Sequence, residues 1–323
     1  MLKKDGLLFF LFLSLVLLHL GQGSSEISIW DLFLKDSAVY QQILSFRIHR
    51  IMSCLLVGGS LAVSGLYFQS FLKNPLAEPF TMGFSGASAL GIALGIYMGV
   101  QSPFLIAGLG FVFCLLAVGF ILNLQKRVFH NFSADLILIG ICLGFFCNAL
   151  VIVLQSVFRP EELQVSYQWL IGSLEHFRTS YWFLCVLPIF SLLYTQLRFG
   201  KHLDKLHLGK SMASAMGTPL AKIQNAILIS GALVCGVSVY LCGIIAFLGF
   251  IAPHLTKSFY QTSLHSKLFI RCFLIGACLL VFSDLLAMKL SFETSLPTGG
   301  IISLLGVPFF FKILIGDRSY AKN

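Results

Sequence analysis

The fold is decided by residues 134–157, which read ADLILIGICLGFFCNALVIVLQSV. Between Asp135 and Arg159 this stretch carries no charged side chain. A helix that crosses a bilayer needs about 20 mostly apolar residues, and the stretch is long enough. A membrane-spanning strand would alternate apolar and polar residues over roughly ten positions, and these residues do not alternate. They predict a transmembrane helix.

The rest of the chain has the same character. Of its 323 residues, 57% are hydrophobic and only 11% are charged, whereas soluble chains carry about 25% charged residues. The charged residues are clumped between long apolar runs, as expected for several spanning helices. We therefore predict an all-α polytopic membrane protein in which residues 1–323 form a single transmembrane domain of about ten helices.

Ten apolar runs are candidate spans. Their approximate limits are 6–22, 51–70, 80–99, 103–124, 134–157, 181–198, 223–245, 246–262, 271–288 and 300–316. The eighth run is the weakest, because Pro253 and His254 interrupt it. The first run follows Lys3 and Lys4 and could instead be a secretory signal. We keep it as a span, because an even number places both termini on one side of the membrane.

The basic residues choose between the two sides. With the N-terminus placed inside, about three quarters of the 22 Lys and Arg residues fall in inner segments, as the positive-inside rule requires. We therefore expect a bacterial plasma (inner) membrane protein with both termini in the cytoplasm, together with residues 199–222. The same scattering of basic residues argues against a nucleic-acid-binding face, despite the net charge of +9.

The cysteines indicate no metal or cofactor site. All nine lie in apolar runs, none forms a C-x-x-C pair, and no His/Cys cluster has ligand spacing. We interpret them as small buried apolar side chains and predict no cofactor.

Small residues recur every four positions in the third span. They are Gly83, Ala87, Gly91, Gly95 and Gly99. Such a stripe predicts a helix face that a neighbouring backbone can approach closely. The same region contains Gly83-Phe84-Ser85-Gly86, a nucleophile pattern that would suit an intramembrane serine protease with His254 as its base. The packing stripe explains these residues more simply.

Residues 209–211, Gly-Lys-Ser, are the end of a phosphate-binding loop, G-x-x-x-x-G-K-[ST]. The first glycine of that pattern would fall at position 204, which is Asp204. A carboxylate there would repel the phosphates that backbone N–H groups bind. We therefore expect a transport subunit without its own ATPase motif, not an enzyme.

Four stretches carry more specific patterns. They are FRIHRIMSCLLVGGSLAVSGLYFQSFLKNPLAEPFTMGFSGASALG (46–91), YQWLIGSL (167–174), HLGKSMASAMGTPL followed by CGIIAFLGFIAPHLTKSF (207–220 and 242–259), and SLPTGGIISLLGVPFFFKILIG (295–316). In this order they resemble the FecCD/BtuC-type permease subunits of the ABC importers for iron–siderophore, haem and cobalamin complexes. The resemblance extends from Arg47 to about Phe311.

The resemblance implies a set of partners. They are separate ATP-binding ABC subunits, a periplasmic or surface substrate-binding protein, a second permease copy or sister permease, and membrane lipid. The segment 199–222 would be the cytoplasmic element that couples to the ATPase. Its candidate contact residues are Leu208, Gly209, Lys210, Ala213, Met216 and Gly217. The family has an acidic residue where this chain has Lys210, so we expect a compensating acid in the partner's groove.

The resemblance also implies a docking site for the substrate-binding protein. Arg47 and Arg50 match the two arginines of the family's R-L-P-R motif, and a guanidinium can hold a glutamate in a bidentate fork. The alternative is contact of these arginines with lipid phosphate. A third family arginine is absent, and Lys289, beside Met288, is its substitute.

A cytoplasmic gate and a translocation pathway follow from the same resemblance. The gate would consist of Phe132, Ser133 and Ala134. The pathway would include Cys142, Asn148 and Gln155 of the fifth span. The family's glutamate before Leu296 is replaced by Ser295, with Glu293 two residues earlier, so that acid's role is not carried over.

Asp284 bears on the remaining alternative, an ion-driven secondary transporter. Such a protein needs coupling carboxylates in several spans, and only Asp284 lies within one, since Asp135 is at a span edge. An intramembrane carboxylate is a functional candidate by default. Because the family carries an aspartate here, we expect a structural, hydrogen-bonded group. Among ferric chelates, haem and cobalamin, an iron(III) chelate of the siderophore or citrate type is the expected cargo, as the family's commonest.

Overall fold

The structure, a computed structural model, describes residues 2–21, 38–128, 134–174, 184–290 and 296–320. Within these ranges the secondary structure is helical and contains no strand. This confirms the all-α prediction.

Most of the helices are long. They are α1 Leu2–Gly21, α2 Ala38–Ser53, α3 Gly59–Leu72, α4 Phe84–Tyr97, α5 Pro103–Val128, α6 Ala134–Gln155, α7 Pro160–Ile171, α8 Val186–Lys205, α9 Lys210–Ala215, α10 Leu220–Cys242, α11 Leu248–Tyr260, α12 His265–Leu290 and α13 Thr298–Tyr320. A π-helical turn, Cys54–Gly58, joins α2 to α3 without a break, and a 3-10 turn, Leu206–Leu208, follows α8.

Each of the ten predicted spans overlaps one of these helices. In the part of the chain that the structure describes, six helical stretches are long and apolar enough to cross a membrane, and α4 and the described part of α13 are shorter apolar helices. The weak eighth span is the 13-residue helix α11, which contains Pro253. Two helices, α7 and the six-residue α9, lie outside the predicted spans, and α2 overlaps its span only at residues 51–53. Their polar residues lower their hydropathy.

Close backbone approach holds the helices together. A Cβ atom on Gly91 would lie 2.6 Å from the Leu109 carbonyl oxygen, and one on Gly95 would lie 3.0 Å from the Leu109 side chain. These contacts confirm that Gly91 and Gly95 form a packing face of α4, here against α5. Gly99, the last residue of the predicted stripe, lies beyond α4 and a Cβ atom there would meet no atom within 4 Å. Gly83 at the start of the stripe faces the Gly140 carbonyl of α6 instead.

Helix α12 packs against several other elements. It contacts α1, α3, the π-helical turn, α8, α11 and α13. Small residues again permit the closest contact, because a Cβ atom on Gly58 of the π turn would lie 2.8 Å from the Gly276 carbonyl oxygen. Each end of α12 carries a polar cluster, buried near Asp284 and partly exposed around His265, and these two clusters organise the candidate site.

Candidate functional site

The segment between α8 and α10 is built from short elements. Helix α9 follows Gly209, whose φ of 107° is unfavourable for other residues, and is followed by Gly217 at φ 73°. Two glycines with positive φ thus bracket a six-residue helix. The bracket sets α9 apart from the long helices on either side.

This segment exposes an apolar stripe. Leu208 is 60% exposed, Met212 is 57% exposed and Met216 is 48% exposed. Met212 and Met216 are four positions apart on α9 and its C-terminal cap, so they lie on one side of that helix. Leu208 precedes them in the 3-10 turn, and we call the three exposed residues the apolar stripe. Sequence reasoning named Leu208 and Met216 but missed Met212, although its spacing from them was a usable signal. Ala213 differs from its expected place on the contact surface, because it is fully buried.

Lys210 points toward its own protein. Its Nζ lies 4.5 Å from the centroid of the Phe71 ring in α3. Burial, with a smaller effect from the charge of Lys73, lowers the pKa of Lys210 to about 8. Lys210 already has an aromatic partner in its own chain. It therefore does not need the compensating acid that we expected in the groove of the ATPase subunit.

Asp204, in the last turn of α8, joins this segment to α12. Its Oδ1 accepts the backbone N–H of His265 at 2.6 Å and lies 3.1 Å from the His265 Nδ1. His207 Nε2 lies 3.0 Å from the Ser263 carbonyl oxygen. We call Asp204, His207, Ser263 and His265 the Asp204 latch. Burial raises the pKa of Asp204, but the hydrogen bonds from His265 outweigh it and leave the pKa below its ordinary value.

Asp284 forms a larger cluster near the other end of α12. Its carboxylate accepts Arg50 Nε at 2.6 Å and Arg50 Nη2 at 2.9 Å. The Thr298 hydroxyl donates to it at 2.7 Å, and His19 Nε2 lies at 2.8 Å. We call these four residues the Asp284 cluster. They come from α1, α2, α12 and α13, and the cluster confirms the expected hydrogen-bonded structural role of Asp284.

The expected docking residues occupy unequal positions. Both arginines are buried, Arg47 at 3% and Arg50 at 6% exposure. The fork of Arg50 is occupied by Asp284, which corrects the prediction that it is presented to an external carboxylate. Arg47 donates from Nη1 to the Leu20 carbonyl at 2.7 Å. Lys289, in contrast, is exposed at the end of α12.

Glu78 of the N-P-L-A-E-P stretch holds the start of α11. Its buried carboxylate accepts the backbone N–H of Phe247 at 3.3 Å. Burial raises the pKa of Glu78 to about 7, although hydrogen bonds from Phe247, Phe250 and Gly249 oppose that shift. A carboxylate at a helix N-terminus is electrostatically favourable. Sequence reasoning recognised this stretch only as a motif and assigned Glu78 no role.

Helix α6 has one buried and one exposed face. Its buried residues are Leu136, Gly140, Cys147 and Val151. The predicted pathway residues Cys142 and Asn148 are exposed. Gln155 differs from them, because its Nε2 donates to the Ser166 hydroxyl of α7 at 3.0 Å. Of the predicted gate, Phe132 and Ser133 lie outside the described residues, and Ala134 begins α6.

The remaining alternatives have less support. Ser85 is buried in the first turn of α4, and His254 packs its ring against Phe309 of α13. Among the described residues no group of three His, Cys, Asp or Glu could hold a metal ion. A cavity of about 660 Å³ lies between α7 and the ends of α4, α5 and α10, and none of the predicted pathway residues lines it.

Comparison with known proteins adds to this geometry. The profile of the FecCD transport family matches residues 9–316. The hemin transport system permease protein HmuU of Yersinia pestis is 31% identical over 319 residues, which cover 96% of this chain and 95% of that protein. The vitamin B12 import system permease protein BtuC of Vibrio vulnificus (strain CMCP6) is 30% identical over 292 residues, covering 87% and 84%.

A solved structure extends the similarity to three dimensions. It is an inward-facing conformation of an ABC transporter described as of the metal-chelate type. The TM-score is 0.82 at 28% sequence identity, and the match covers 97% of this chain and 99% of that one.

Proposed function

The chain belongs to the FecCD transport family and is a membrane permease of an ABC importer, and from that premise we propose that its cargo is an iron(III) chelate of the siderophore or citrate type. The observation that carries this choice is the similarity, along nearly the whole chain, to a transporter described as of the metal-chelate type. The second candidate is haem or cobalamin, because relatives of similar identity are named for hemin and vitamin B12.

Import is driven by separate ATPase subunits, which grip the apolar stripe of Leu208, Met212 and Met216. The exposed Met-rich surface supports this assignment, since such side chains adapt to a partner's groove. Gly209 and Gly217 give the segment its shape, Ala213 supports it from inside, and Lys210 anchors it on Phe71. We accordingly expect an apolar groove on the ATPase in place of an acidic one.

The other sites follow the same orientation. Both termini and the stripe face the cytoplasm, and the Asp284 cluster lies near the outer surface. A substrate-binding protein docks beside Lys289 and Arg47, whereas Arg50 orders this surface through Asp284. A second permease copy or sister permease faces the exposed side of α6, where Cys142 and Asn148 border the pathway. The gate at Phe132, Ser133 and Ala134 stays a prediction.

Uptake measurements test the cargo. A strain lacking this gene is supplied in parallel with labelled ferric citrate, a labelled ferric siderophore, labelled haem and labelled cobalamin. We expect the intact gene to restore uptake of a ferric chelate and of neither other compound. Restored uptake of haem or cobalamin alone would replace the proposed cargo while leaving the importer assignment in place.

Charge substitution tests the stripe. Met212→Glu places a carboxylate on the proposed ATPase contact, and we expect it to reduce capture of the ATPase subunits by the tagged permease about tenfold, because burying an unpaired charge is costly. Ser214→Glu is the matched control, since side chains two positions apart on a helix do not share a face. Equal capture by both variants would show that the ATPase binds elsewhere.

A further inference from the structure

Two hydrogen bonds and one ring contact connect residues 204–207 to α12, and a third hydrogen bond joins them to Ser263, just before α12. Asp204 supplies two of the hydrogen bonds, and one of them goes to the first backbone N–H of α12. An N-terminal N–H has no partner within its own helix, so Asp204 caps α12 from another element. His207 adds the third bond, to Ser263, and stacks on His265 with ring centroids 5.8 Å apart.

The stripe and the latch belong to one continuous piece of chain. Asp204 lies in the last turn of α8, and the 3-10 turn Leu206–Leu208 follows without an intervening loop. His207 lies next to Leu208, the first residue of the stripe. A displacement of the stripe therefore displaces both latch residues on this segment.

Helix α12 carries the connection toward the opposite end of the protein. His265 and Asp284 are separated by about 28 Å along the helix, at 1.5 Å per residue. At that distance Asp284 binds α1, α2 and α13 through three side chains. A helix anchored firmly near one end and lightly at the other can transmit a movement applied to the light end.

We propose that Asp204 is a positioning residue that makes α12 follow the ATPase-contact segment, so that ATP-driven movement of the stripe reaches the end of the permease where the binding protein docks. This inference rests on the proposed function and concerns how its two ends communicate. The capping hydrogen bond of Asp204 transmits the movement, because it joins the ATPase-contact segment directly to the backbone of α12. His207 holds the adjoining turn in register.

The test uses the importer reconstituted in liposomes with its ATPase subunits and binding protein. Two quantities are compared, the stimulation of ATP hydrolysis by the loaded binding protein and the cargo imported per ATP hydrolysed. For Asp204→Ala we expect about a tenfold loss of stimulation with basal hydrolysis retained, because a charge-assisted hydrogen bond is lost. Asp204→Asn keeps an acceptor for the His265 N–H and should fall between Asp204→Ala and the wild type.

Thr262→Ala is the matched control, since the Thr262 hydroxyl accepts the Leu264 N–H in the same turn but lies outside the latch. It should couple like the wild type. Full coupling in Asp204→Ala, or an equal loss in the control, overturns the proposal. If Asp204→Ala does not assemble, His207→Ala decides, with about a threefold loss of stimulation expected and wild-type stimulation overturning the proposal.

The wild type separates the two levels of the proposal. A wild-type complex that imports none of the tested compounds contradicts the proposed function itself. A wild-type complex that imports, alongside an Asp204→Ala complex that imports equally well per ATP, contradicts only the role of the latch.

Discussion

The two ends of α12 are held to the rest of the protein by different kinds of polar contact. Near one end Asp284 is fully buried and is shared by three side chains from three helices. At the other end Asp204 keeps 19% of its side chain exposed and holds a single residue of α12. The Asp284 cluster is an anchor, because opening it would leave a dry carboxylate unpaired. The Asp204 latch is a connection that water can help to open.

The two clusters should therefore differ in what they control, one the stability of the fold and the other the movement of α12. Buried charge pairs are costly to break, and the helices they join therefore move as one body. A partly hydrated carboxylate loses less on opening, because water replaces its partners. We expect substitutions in the Asp284 cluster to act mainly on folding and substitutions at the other end to act mainly on coupling.

The largest effect should follow Asp284→Ala. The substitution leaves the Arg50 guanidinium buried without its carboxylate, and loss of one partner of a buried pair costs about 3–5 kcal/mol. We expect this decrease in the free energy of unfolding, measured by SDS titration of the purified permease. Ser283→Ala, at an equally buried neighbour, should cost about 1 kcal/mol or less.

A double variant sharpens this prediction. Asp284→Ala combined with Arg50→Ala removes the unpaired charge, so it should be more stable than Asp284→Ala alone. If the two losses simply add, the ion pair is not what anchors α12.

A smaller loss is expected for Thr298→Val. It removes one neutral donor to Asp284 and keeps the shape of the side chain, so the free energy of unfolding should fall by about 1–2 kcal/mol. Thr298→Ser retains the hydroxyl and should recover most of that loss in the same titration. A valine variant as stable as the wild type would mean that α13 is held by packing alone.

The smallest effect should be seen at Lys210. Lys210→Met keeps an apolar stem against Phe71, and we expect coupling within about twofold of the wild type. Lys210→Glu, which restores the family's acidic residue, sets a carboxylate against the face of the ring and should couple less well than Lys210→Met. Better coupling by the glutamate variant would support an outward-facing position for this residue.

The pKa of Lys210 adds a pH test. Its folded-state pKa of about 8 lies below the ordinary value of 10.5, so folding opposes the charged form. The resulting penalty is fully present below pH 8 and disappears as the pH rises toward 10.5. The wild type should therefore gain thermal stability relative to Lys210→Met over that interval, and parallel curves would contradict the shift.

Much of the fold could be predicted from the sequence, because spanning helices are recorded in long runs of apolar residues. Each of the ten apolar runs overlaps a helix of the structure. The small residues of α4 correctly predicted a packing face. Helix α7 and most of α2 were missed, since helices with many polar residues leave no such run.

The candidate site was less predictable, because its contacts join residues far apart in the chain. Arg50 and Asp284 are separated by 234 positions, and nothing local to Arg50 reveals that its partner is internal. Asp204 entered the sequence reasoning only as the residue that spoils a phosphate-binding loop. The direction of the Lys210 side chain depends on Phe71, which no motif connects to it.

The π-helical turn Cys54–Gly58 makes the position of Arg50 depend on the number of residues between α2 and α3. A π turn holds one residue more than the α-helical ladder needs, and one residue corresponds to about 100° of rotation around a helix axis. Deleting a single residue from this turn would therefore swing Arg50 away from Asp284 while every contacting side chain stayed unchanged in identity. The number of residues in this turn is therefore as important to the Asp284 cluster as the charged side chains themselves.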